Sequence, residues 1–117
     1  MSAQTHASDP IIPRPERTVG ALRVALAQVA PYRIAEFEAL KDEAFDLAAA
    51  QGSVAPVRMF LLAWSRDIEI ARQPATAARY RDAVHAAQVL DKADPGWLAA
   101  MDDVSRILDE AMRAVRD

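Results

Sequence analysis

The chain has 117 residues, of which 52% are hydrophobic and 26% charged, with a formal net charge of −3 and no cysteine. That length holds one domain, and the balance is globular rather than disordered. The lack of cysteine excludes a disulfide scaffold, a thiolate metal site and a cysteine nucleophile, and no apolar run approaches the ~20 residues that span a bilayer. The N-terminus lacks the basic, apolar, then small-residue order of a secretion signal, so a soluble, cytoplasmic protein without a membrane segment is expected. Alanine fills 26 positions, against three Phe, two Trp, two Tyr and four Met. A core of that kind rests on close helix approach and a few large anchors, and it gains from a partner or a second copy.

Residues 1–17 read as a disordered, proline-rich tail. Pro10, Pro13 and Pro15 each remove a backbone donor and push the preceding residue toward extended geometry. Ile11 and Ile12 offer the less favoured alternative of a hydrophobic plug. From Thr18 the period becomes helical. Thr18 is placed as an N-cap, and Val19, Leu22, Leu26 and Val29 recur on one face until Pro31. A second helix is predicted from about Tyr32 to Gln51, with Ile34, Phe37, Leu40, Lys41, Ala44, Leu47 and Ala48 on its inner side and Gly52 as its stop.

Ser53 and Pro56 open a third helix reaching about Arg72, striped by Val57, Phe60, Leu61, Trp64, Ile68 and Ala71. Met59, Leu62 and Ile70 lie off that stripe, which predicts a central helix touched from several directions. Pro74 ends it, and a fourth helix is expected from Thr76 to Leu90, burying Tyr80, Val84, Ala87 and Leu90 or their neighbours. Asp94 then caps a last helix opened by Pro95 and running to about Arg116. Along it Trp97, Met101, Val104, Leu108, Ala111 and Val115 follow a heptad spacing, flanked by Met112, while the opposite face is charged. No strand pattern is present. The expected architecture is all-α, a small bundle of four to five helices over 18–93 with a long amphipathic C-terminal helix over 94–117.

Chemistry-bearing patterns are sparse. His6 and His85 form no paired-histidine metal motif, and Ser65 and Ser105 have no neighbouring base. Gly20, Gly52 and Gly96 are too scattered for a phosphate loop. The acidic run Glu36, Asp42, Glu43 and Asp46 lacks the matching donors of a di-metal bundle, so a small metal-binding protein is a remote alternative. No cofactor and no enzymatic activity are expected. A DNA-binding regulator is the main alternative: the turn at Gln73–Pro74–Ala75 resembles a helix-turn-helix connection, with Arg66, Arg72, Arg79 and Arg81 around it and helix 76–90 as the reader. The expected role is instead protein–protein interaction or self-association through the C-terminal helix, with Trp97, Met101, Val104, Leu108 and Met112 as the contact residues. The acidic second and last helices suit a basic partner.

The stretch from Leu22 to Gln88 resembles a family of short, helical actinobacterial proteins of unknown function. The likeness rests on Leu26, Glu36–Phe37, the small residues around Ala44, the break from Gly52 to Pro56, Phe60–Leu61, Trp64, Pro74 and Tyr80. It implies a helical fold and no catalytic residues. Some of those relatives look like antitoxins of small ribonuclease-type or gyrase-poisoning toxins, which implies a partner-wrapping, self-regulating role. The long final helix departs from the family pattern.

Overall fold

A computed structural model describes residues 9–116. They form α1 (Val19–Val29), a 3-10 turn at Pro31–Arg33, α2 (Ile34–Gln51), α3 (Ala55–Ala71), α4 (Pro74–Val89) and α5 (Pro95–Arg116). No strand occurs among the described residues, so the all-α architecture with a long last helix holds.

The helix ends sit where local chemistry puts them. Thr18 Oγ1 accepts from the Ala21 amide at 3.2 Å, closing the first turn of α1. Pro31 takes the following 3-10 turn, so α2 begins at Ile34 rather than at Tyr32. Gly52 ends α2 with φ of 62°, in the left-handed region where a Cβ is disfavoured. Pro74 is the first residue of α4, two positions before the expected start, because its fixed φ already suits a first helical position. Asp94 accepts from the Gly96 amide at 2.8 Å and so caps α5. Gly96 suits the tight entry: an added Cβ would come within 3.1 Å of the Leu90 side chain and 3.2 Å of the Asp94 carboxylate, so both would have to shift slightly.

α3 is the spine of the molecule. From Phe60 to Ile68 it joins α1 and α2 in the larger core, built from Leu22, Leu26, Phe37, Phe60, Trp64 and Ile68. Its end joins α4 and α5 in a smaller one, where Ile70 meets Ile107 and Ala111 with Tyr80 and Leu108 alongside. Phe37 is the hub of the larger core, 5.1 Å from the Phe60 ring and 5.2 Å, edge-on, from Trp64. Two cores side by side make a plate of 49 × 44 × 27 Å. Its radius of gyration of 16.3 Å exceeds the ~13 Å of a compact chain this long.

Two expectations are corrected. The inner line of α5 is Ala100, Ile107 and Ala111. Val104, Leu108 and Met112 are half-buried, and Met101 lies 36% exposed. Ile107, absent from the expected seam, is almost fully enclosed. The helix packs on both α3 and α4, so its contact line is set by two neighbours rather than by one coiled-coil partner, and Ala100 and Ala111 let the backbones approach closely.

The second correction concerns the tail. Residues 1–8 lie outside the described residues, but the chain from Asp9 to Arg17 is docked on the bundle rather than free. The Ile11 amide donates to the Arg72 carbonyl at 2.7 Å, Arg72 Nη1 donates to the Ile12 carbonyl, and Ile12 packs against the larger core. Arg14 holds Glu69 through two hydrogen bonds of 2.8 and 3.0 Å, and Arg17 reaches the Val115 carbonyl at the end of α5. Prolines rule out a helix here, but not docking in an extended form.

Glu69 is 3% exposed and also accepts two hydrogen bonds from Arg72 and one from Gln73. Burial alone would raise its pKa, yet Arg14 and Arg72 outweigh it and hold the carboxyl below the ordinary range. On the surface, Arg23 and Lys41 hold Glu38 down at about 2. Both carboxylates therefore bind protons more readily in the unfolded chain. Stability is expected to hold from neutral pH down to the ordinary carboxylate range and to fall as pH drops below it toward about 2. Thermal melts across that window check the direction.

Candidate functional site

The two larger concave surfaces among the described residues flank α3, and they differ in chemistry. The first is an open groove of about 1000 Å³ between α2 and the first half of α3. Leu40, Ala44 and Leu47 form one wall, Met59 and Ala63 the other, and Phe60 and Trp64 the floor. Leu40 is 39% exposed, Leu47 48% and Met59 61%. The expected inner side of α2 is thus only partly covered: Phe37 and Ala44 are buried, while Leu40 and Leu47 are not. The reason is width. The apolar stripe of α2 is broader than the surface that α1 and α3 offer it. Glu43 and Asp46 edge the groove on the α2 side, and neither is paired with a cation among the described residues.

The second surface is a cleft of about 590 Å³ between the Ala30–Arg33 corner, the end of α3 and one face of α4. Arg33, Arg66 and Arg81 enter its lining, with Asp67 as the single carboxylate. Asp67 accepts from Arg33 at 3.2 Å and from Arg66 at 2.9 Å. Arg33 also bonds Glu36 and lies 4.4 Å over the Trp64 ring. Burial works against its charge, but Glu36 and Asp67 outweigh that and raise its pKa further.

The residues singled out in the sequence are dispersed by the fold. Trp97 is half-buried and donates its indole N–H to the Ala87 carbonyl at 3.1 Å, locking the start of α5 to the end of α4. Leu108 packs against the smaller core of its own bundle, Val104 is half-buried, and Met101 stands exposed. Of the three arginines expected to read DNA, Arg72 is buried and committed to Glu69 and Ile12. Arg79 pairs with Asp103 of α5 at 2.9 Å, and Arg81 turns into the cleft. They do not share a surface. Among the described residues no group of three or more His, Asp or Glu is placed to hold a metal ion, and no helix is long and apolar enough to cross a membrane.

What fold and site define together is an open, two-core helical plate carrying an apolar groove with an acidic edge and a cationic cleft. In comparisons with known proteins, no family, curated protein or solved structure matches the chain.

Proposed function

We propose that this chain is a non-enzymatic helical interaction module with a regulatory, antitoxin-like role, and that it docks one amphipathic, basic-edged helix of a partner protein in the groove between α2 and α3. One observation carries the reading: an apolar groove floored by Phe60 and Trp64 is left open and edged by unpaired Glu43 and Asp46. Exposed apolar surface gathered into a groove marks a binding surface rather than a scattering of stray side chains. From Leu40 to Gln51 the α2 wall rises ~16 Å, which accommodates about three turns of a helix. A second copy placed by two-fold symmetry would bring Glu43 and Asp46 toward their own like charges, so a basic partner fits better. This assignment moves the docking surface from α5, whose inner face packs on its own bundle, to α2 and α3. The resemblance to antitoxin-like proteins points to the same kind of partner, a basic nucleic-acid-cleaving protein.

A synthetic helix of about twelve residues, with a leucine stripe edged by lysine, is expected to bind with a Kd on the order of 10 μM. The same stripe edged by glutamate should not bind. Leu47→Asp and Met59→Glu, both at exposed positions, should leave folding within about 0.5 kcal/mol and weaken the lysine peptide about tenfold or more. Calorimetry reads the binding, and light scattering reads the oligomeric state of the free chain. Equal affinity for both peptides, or a dimer dissolved by Met59→Glu, overturns the partner assignment.

A further inference from the structure

The cleft on the far half of α3 is anomalous for an acidic protein. The chain carries −3 overall, yet among the described residues three guanidiniums line this cavity against one lining carboxylate, with Glu36 pairing Arg33 from outside the lining. Asp67, held between Arg33 and Arg66, fixes both guanidiniums in place while consuming only part of their five donors each. Arg81 and His85 stand one turn apart on α4 along the same lining. Neither side chain makes a hydrogen bond or ion pair with another described residue. The site therefore holds preplaced guanidiniums beside a free guanidinium and a free imidazole, donors of the kind that recognise a phosphate.

Aromatic rings complete it. Tyr32 sits on the lip with 85% of its surface exposed, and Tyr80 lines the α4 wall half-buried. A flat heteroaromatic ring stacks on such faces while its phosphate sits among the arginines. The volume of about 590 Å³ falls in the range of small-ligand pockets. Duplex DNA is a poor occupant, because its major groove is entered by a protruding helix, whereas these guanidiniums line a recess. We infer that the cleft between the Ala30–Arg33 corner, α3 and α4 binds a free nucleoside monophosphate. Its phosphate is held by Arg66, Arg81 and His85, and its base lies against Tyr32 and Tyr80. The inference stands apart from the groove and does not depend on it.

Calorimetric titration of the full chain tests it, with adenosine 5′-monophosphate, adenosine, inorganic phosphate and a short oligothymidylate as probes. The monophosphate is expected to bind one to one, more tightly than adenosine or phosphate alone, and to weaken as salt is raised. Arg81→Glu, at an exposed position, should reduce its affinity about tenfold or more. Tyr32→Ala should weaken the monophosphate but leave inorganic phosphate unchanged. Met59→Glu, in the groove, should change neither, so failure here is distinguishable from failure of the groove reading. Circular-dichroism melts establish that each variant is folded. No binding of the monophosphate, or binding unaffected by Arg81→Glu, overturns the inference. Binding of the oligonucleotide without the monophosphate also overturns it, in favour of a polymer site.

Discussion

Glu69→Ala is expected to destabilise the protein by about 3–5 kcal/mol, the range for removing one partner of a buried ion pair. The carboxylate is 3% exposed and Arg72, its neighbour one turn on, is 9% exposed. Without Glu69 the Arg72 guanidinium keeps only the Ile12 carbonyl as a partner. Arg14, whose side chain is 47% exposed, loses its anchor but returns to water at small cost. The residues from Asp9 to Arg17 should then detach, because two of their fixing contacts run through Arg72 and one through Glu69. Chemical denaturation reads the global loss, and amide exchange at Ile11 reads the local one. Arg14→Ala removes one of these contacts and keeps both to Arg72, so it should only loosen the segment, for about 1 kcal/mol or less. Replacing Glu69 and Arg72 together by methionine should recover much of the loss, since a buried pair exchanged for packed apolar groups is often neutral. A Glu69→Ala protein as stable as the parent would show that the carboxylate is not enclosed as described.

The contrast between Thr18 and Glu69 explains how far the sequence could be read. Caps and stops are local: Thr18, Gly52 and Asp94–Pro95 each act on the turn beside them, and each ends or starts a helix as expected. The aromatic anchors Phe37, Phe60 and Trp64 were equally legible, because a large ring at helical spacing has few places to go but inward. Glu69 was not. Nothing in its neighbourhood along the chain announces burial, since Arg14 lies 55 residues away. The proline-rich segment was misread for the same reason: its composition forbids a helix but is silent about docking in an extended form.

The candidate surfaces were less legible still. The cationic cleft draws Arg33, Arg66 and Arg81 from three separate elements. Grouping arginines by proximity along the chain gathers Arg66 and Arg81 but misses Arg33, and it adds Arg72 and Arg79, which the fold commits to Glu69 and Asp103. The groove was hidden by a sound rule applied past its reach. Leu40 and Leu47 belong to the same helical stripe as Phe37 and Ala44, and periodicity assigns the whole stripe inward. How much of a stripe is covered depends on the neighbours available. Here α1 and α3 cover one edge of it and leave the other to solvent. The register of α5 shows a similar limit: a helix lying against two neighbours has its inner line between two candidate seams, and Ile107 falls on that line.

Trp64→Ala is expected to cost about 3–5 kcal/mol, the range for emptying a buried aromatic position. The ring is 3% exposed, stands edge-on to Phe37 at 5.2 Å and lies 6.3 Å from Phe60, and carries Arg33 on its face at 4.4 Å. Trp64→Phe keeps an aromatic contact and should cost less than half as much. Trp97→Ala is the informative comparison, because Trp97 is only half-buried and its side chain's one hydrogen bond goes to the Ala87 carbonyl. It should cost less than Trp64→Ala despite removing the same atoms. The Trp64 loss should appear as one cooperative transition shifted to lower denaturant. The larger core and the smaller one share α3 without a break, so a cavity in the first weakens the helix on which the second is built. Two separate transitions, with α4 and α5 surviving the loss of α1 and α2, would show that the plate consists of two independently folding halves.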